Sequence, residues 1–198
     1  MTSFMIFSLQ HQETALELVM TTVLHSVSYY GWHATIGNTD IETLLLGAVH
    51  SQSEKLSITS KALLAYLPGT SGVEALLDRD QLCLIVKQLS IAAATSESTT
   101  KEYSVREILT ITKAVIRVSD NCTGLLEQGL EETLGTLTEE VDETANAVAA
   151  EIIWRIAAAS GGAGVKEELM EGNMTERTLG VLSIYSYSNY VSLKKHTD

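Results

Sequence analysis

The sequence predicts an all-α fold, on three observations. Apolar residues fill 45% of the 198 positions, enough to bury a sizeable core. A single Pro, at position 68, leaves long stretches without a helix breaker, and aromatic residues at 6% are too few for a Tyr- or Phe-rich β-sandwich. Apolar residues also recur at the spacing of one helix face. Val105, Ile108, Ile111, Val115 and Val118 mark one long helix over 104–119, and Val148, Ile152, Ile156 and Ala159 mark another over 142–159.

A repeat organises these elements. Four helical segments carry an apolar pair three residues apart, each followed by a turn: Leu24-His25-Ser26-Val27, Leu64-Ala65-Tyr66-Leu67, Val115-Ile116-Arg117-Val118 and Ile153-Trp154-Arg155-Ile156. Their starts lie 40, 51 and 38 residues apart. The long middle interval contains the polar run Thr95-Ser96-Glu97-Ser98-Thr99-Thr100-Lys101-Glu102, read as a loop inserted over 95–103. Turn residues then follow each of the last three segments, at Gly69 to Gly72, Asp120 to Gly124 and Gly161 to Gly164. Short helices are expected at Leu76-Leu77-Asp78, Leu125-Leu126-Glu127 and Leu169-Met170-Glu171, and medium ones at Gln81 to Ala94, Leu130 to Leu137 and Thr175 to Ile184. The stretch Gly31 to Asn38 shows little helical periodicity.

A short, a medium and a long helix per unit of about 40 residues resembles the armadillo repeat, with the two-helix HEAT repeat close behind. The resemblance runs over roughly residues 13 to 185. It implies a right-handed α-solenoid of about four repeats over 13–187, flanked by tails at 1–12 and 188–198. It also implies a concave groove lined by the long helices. Ser26, Tyr66, Arg117 and Arg155 hold the third place of the repeated segments, where armadillo proteins often carry an Asn that grips a peptide backbone; none of the four is Asn.

Charge narrows the partners. A net charge of -12 repels phosphate backbones, which disfavours nucleic acid and fits a basic protein partner, while serving solubility as well. Cys83 and Cys122 lie among apolar residues, where thiols behave as small buried hydrophobes, and a reducing compartment is expected. The first ten residues lack the pattern of a secretory leader, and Ala147 to Val165 is interrupted by Glu151 and Arg155, so no membrane span and a cytoplasmic protein are expected. The sequons at Asn121-Cys122-Thr123 and Asn173-Met174-Thr175 are read as coincidental.

Enzyme signatures are poor. Gly161-Gly162-Ala163-Gly164 lacks the Lys and Ser or Thr that complete a phosphate loop, and no Gly-x-Ser-x-Gly elbow presents a nucleophile. No two His fall at the i, i+4 spacing that puts two metal ligands on one helix face. Adjacent acids such as Glu131-Glu132, Glu139-Glu140 and Glu167-Glu168 point about 100 degrees apart on a helix, so they suit a solvated face or a helix N-terminus better than acid–base catalysis. No cofactor and no metal are expected.

The reading that results is a non-enzymatic scaffold or adaptor. Partner-binding residues are Tyr66, Lys113, Arg117 and Arg155, with Lys113 four residues before Arg117 on one helix face, so that the groove is locally basic and takes an acidic segment. Arg117 and Arg155 as ion-pair partners of neighbouring helices is the competing reading. A compact bundle with a small-molecule or metal site near His25, His33 and His50 is the alternative function. Leu179, Val181, Leu182, Ile184, Tyr185, Tyr187 and Tyr190 suggest self-association or a continuing solenoid. Trp154 and Leu64 are expected in the core.

Overall fold

The computed structural model describes residues 2–30, 39–67, 73–94, 103–140 and 143–159. Every regular element among them is a helix: α1 (Thr2–Tyr30), α2 (Thr39–Ala48), α3 (Glu54–Leu64), α4 (Arg79–Ala94), α5 (Val105–Val115), α6 (Ser119–Glu127), α7 (Leu130–Glu140) and α8 (Glu143–Ala159). The chain is thus all-helical over the described residues. It divides into two compact units, Met1–Ile85 with Thr110–Gly124, and Val86–Leu109 with Leu125–Asp198.

The first unit is built around α3, on which α1 and α2 both pack. Eight of the 11 residues of α3 are buried, Ser57, Thr59 and Ser60 among them. A helix buried on nearly every side favours hydroxyls that are satisfied internally, and two of these three are, while Thr59 Oγ1 is buried without a hydrogen-bond partner among the described residues. Ser57 Oγ donates to the Val49 carbonyl at 2.7 Å, and Ser60 Oγ to the Leu56 carbonyl at 2.7 Å. Met20, Leu24 and Val27 supply the buried stripe of α1. Ser53 Oγ donates to Glu17 of α1, and Ser60 Oγ lies 3.2 Å from Met20 Sδ. Both positions advance together, so α1 and α3 run in the same direction.

Local chemistry sets the helix starts. Ser53 Oγ caps α3 by accepting from Leu56 N at 3.2 Å. A reciprocal capping box opens α5, where Ser104 Oγ accepts from Glu107 N and Glu107 Oε2 from Ser104 N. Another opens α4: Asp78 Oδ1 accepts from Gln81 N at 2.9 Å while Gln81 Oε1 faces Asp78 N at 3.4 Å. Asp40 and Glu42, Glu54, Asp80, Glu107, Asp120, and Glu131 and Glu132 sit in the first turns of α2 to α7, where the helix dipole favours negative charge.

In the second unit α7 packs on α8. Leu130 and Leu134 of α7 are buried, as are Val148, Ala149, Ile152 and Ile156, which stripe one face of α8. Trp154, expected in the core, is only half-buried. It lies two residues from both Ile152 and Ile156, about 200 degrees round the helix from that stripe. Leu64 is fully buried.

Several expected boundaries move. Residue 12, taken as the end of a tail, falls inside α1, and the helix expected over 104–119 stops at Val115. Leu76-Leu77-Asp78 is not helical, and Asp120 to Gly124 is not a turn but part of α6. Gly124 serves packing: a Cβ there would stand 2.6 Å from Leu82 Cδ1. The turn glycine is Gly129, at φ +85, between α6 and α7. Cys83, expected to be buried, is exposed, whereas Cys122 is buried. Tyr103, placed at the end of the inserted loop, is buried. Gly31 to Asn38, Gly69 to Gly72, residues 95–102 and everything from 160 onward, including the apolar residues from Leu179 to Tyr190, lie outside the described residues.

Asn121 explains why 76–78 stays out of a helix. Only 1% exposed, it accepts from Leu77 N at 2.9 Å and donates to the carbonyls of Ala75 at 2.9 Å and Val115 at 3.3 Å. Its amide thereby replaces the backbone partners that a helix would give this segment. The same commitment leaves Asn121 no access for a glycan. Asn121→Ala should lower stability by about 2–4 kcal/mol on urea unfolding, because it strands Leu77 N–H and the Ala75 carbonyl in the core. A loss under about 1 kcal/mol would contradict this role.

Candidate functional site

The site is assembled where α3 and α5 end. Each helix finishes in the same tight turn: Tyr66 N and Leu67 N bond to the Leu63 and Leu64 carbonyls at 3.0 Å, and Arg117 N and Val118 N bond to the Ala114 and Val115 carbonyls at 3.1 Å. These turns carry two of the repeated segments identified in the sequence, Leu64 to Leu67 and Val115 to Val118. The other two, Leu24 to Val27 and Ile153 to Ile156, lie inside α1 and α8.

A helix end presents carbonyl oxygens without intrahelical partners and a partial negative charge. Two cations from the end of α5 meet such carbonyls. Lys113 Nζ donates to the Ser28 carbonyl in the last turn of α1 at 3.2 Å, and Arg117 Nε donates to the Ala65 carbonyl, just past α3, at 3.2 Å. The Arg117 guanidinium also lies over the Tyr66 ring, 4.6 Å from its centroid.

The four sequence-derived site residues thus separate by environment. Tyr66 and Lys113 are buried at 6% and 8% exposure, so Tyr66 is a platform rather than a contact surface, and the ammonium of Lys113 is spent on a backbone oxygen. Arg155, in the second unit, is held by Glu151 one turn earlier on its own helix, with Nε and Nη2 at 3.1 and 3.0 Å from Glu151 Oε1. Arg117 is exposed. Its stacked plane and its bond to Ala65 are its interactions among the described residues, where no carboxylate pairs with it. Stacking and the Nε bond fix the plane of the guanidinium and leave the paired Nη groups as a preorganised fork for a carboxylate or phosphate.

Sequence reasoning missed a second cluster, although the spacing Asp78-x-x-Gln81 signals its capping box. Gln81 is buried and uses its whole amide: Oε1 accepts from Lys61 Nζ at 2.6 Å, and Nε2 donates to Ser57 Oγ at 3.1 Å. Burial holds the Lys61 ammonium below its ordinary pKa, against the opposing pull of Asp78. The cluster ties the start of α4 to α3 and is fully used in doing so.

His25 and His50 are exposed, and His33 lies outside the described residues. Among the described residues no three His, Cys, Asp or Glu side chains gather as a metal site, and no helix is long and apolar enough to cross a membrane. Compared with protein-family models, curated proteins and solved structures, the chain matches none.

Burial pushes the Cys122 thiol above its ordinary pKa. In the native protein a thiol-specific chromogenic disulfide should therefore label Cys83 quickly and Cys122 only on unfolding; two equally fast thiols would contradict the burial of Cys122. Arg117→Ala should cost no more than about 1 kcal/mol on urea unfolding, since one exposed carbonyl bond and one stacked contact are lost. A cost above about 3 kcal/mol would make Arg117 a structural residue instead.

Proposed function

We propose that this chain is a non-enzymatic interaction module, a scaffold or adaptor of the armadillo-like solenoid kind, which captures an acidic segment of a partner protein through Arg117. One observation carries the reading: an exposed guanidinium, stacked on a buried ring and pinned at Nε, keeps its outer fork without an acidic partner in a chain whose net charge is -12. Carboxylates far outnumber cations here, 25 Asp and Glu against 13 Lys and Arg. An exposed Arg that has nevertheless recruited no carboxylate among the described residues is held ready for one from outside. Ordering has been completed on folding, so an incoming anion need not immobilise the side chain again. The scaffold supplies rigidity, because Tyr66 follows a helix that is buried along eight of its 11 residues.

The test is fluorescence anisotropy with a labelled Glu- and Asp-rich peptide. Arg117→Lys keeps the charge but removes the planar fork and should weaken binding about tenfold, and Arg117→Glu should abolish it. Helical circular dichroism should be unchanged in both variants. Undiminished affinity and salt dependence in Arg117→Glu would refute the assignment.

A further inference from the structure

α1 is fastened unevenly along its length. Met20, Leu24 and Val27 are buried, but from Gln12 to Val19 no residue is. Apolar burial therefore does not hold that stretch to the first unit. Two hydroxyl–carboxylate contacts tie it down: Ser51 Oγ donates to Glu13 Oε1 at 3.4 Å, and Ser53 Oγ donates to Glu17 Oε1 at 2.5 Å. Both serines belong to the non-helical residues between α2 and α3, so the two contacts act as a latch across them.

The two serines differ in what else they do. Ser53 caps α3, accepting from Leu56 N. Ser51 caps no helix, is half-buried and makes the longer of the two contacts. Its surroundings have a charge pattern of the kind that protein kinases read. None of the 50 residues before Ser51 is Lys or Arg, whereas Glu54, three residues after it, is exposed. A kinase that grips cations ahead of its serine has nothing to hold here, and one that grips an acid behind it does. The same Ser-x-x-Glu spacing at Ser104 is spent on a capping box; at Ser51 it is not, because Ser53 is the cap.

We propose that Ser51 is a phosphorylation site for an acid-directed protein kinase, and that the phosphate releases the part of α1 before Met20. Ser51 Oγ attacks the γ-phosphorus of a nucleoside triphosphate and the new O–P bond replaces the β–γ bridge. The nucleoside diphosphate leaves, and the hydroxyl proton passes to the base of the kinase. The product has lost the donor to Glu13 and carries about −1.5 to −2 charges in its place. They stand beside Glu13, with Glu17 one turn further along the same helix. This regulation does not rest on the capture of an acidic segment at Arg117, and either can fail alone.

The test incubates the full chain with ATP and an acid-directed serine kinase. Mass spectrometry should place a phosphate on Ser51 that S51A lacks; a Ser51 left unmodified would overturn the proposal. In the phosphorylated chain the amides of Glu13 to Val19 should exchange with deuterium at least about tenfold faster than in the unmodified chain, with Leu24 and Val27 unchanged. S51A, which loses one long contact, should stay close to the wild type. In E13K the phosphate meets a cation instead of a carboxylate, so phosphorylation should slow exchange there. Unchanged or slower exchange in the phosphorylated wild type, as capture of the phosphate by Lys55 would give, would refute the release. Equal acceleration in E13K would refute its electrostatic cause.

Discussion

The burial of α3 is the constraint on which the first unit depends. A helix buried along eight of its 11 residues cannot leave a polar group to water, so its neighbours must supply partners. They do so along its length except at Thr59, whose buried Oγ1 has no hydrogen-bond partner among the described residues. Ser53 and Glu17 meet at its start, Ser57 reaches the Val49 carbonyl and Gln81, Ser60 turns back to Leu56, and Arg117 takes the Ala65 carbonyl beyond its end. Each of these contacts joins α3 to another segment of the unit or closes one of its own turns. Burial of apolar side chains drives the assembly, and the polar contacts fix the order in which the helices meet.

That arrangement converts a structural need into a chemical feature. The negative ends of α1 and α3 both call for a donor, and α5 delivers Lys113 to one and Arg117 to the other. Lys113 is buried in doing so. Arg117 satisfies its carbonyl with Nε alone and lies flat on Tyr66, so the rest of its donors face outward from a rigid support. A Lys in that position would spend a point charge on the carbonyl and offer no second, planar donor pair.

Much of the helical layout was legible in the sequence, because amphipathic periodicity and capping residues are local. The helix expected from Gln81 to Ala94 corresponds to α4, that from Leu130 to Leu137 to α7, and that from Asp142 to Ala159 to α8. The misreadings share a cause: residues that usually break helices were serving packing. Gly124 looked like a turn residue, but it makes room for Leu82 within α6. Asn121 looked like a helix stop, but its side chain holds the non-helical segment around Leu77 from the buried face of that helix. Trp154 was assigned to the core from its place in a repeated segment, against the period of its own helix. At the site, the residue types were legible and their division of labour was not. Arg155 has Glu151 one turn before it, a pair that spacing alone signals, whereas Arg117 has Lys113 there and finds its partners in the turn and ring that follow α3, some 50 residues earlier in the chain.

Amide hydrogen exchange on the native chain is the most direct test of α3 as the element that supports this site. The account predicts that the amides of Ser57 to Leu64 are the slowest to exchange in the first unit and open only with global unfolding, and that Arg117→Ala accelerates exchange at Ala65 to Leu67 while leaving Ser57 to Leu64 protected. Exchange of the α3 amides through local opening, while α1 or α2 stays protected, would contradict it.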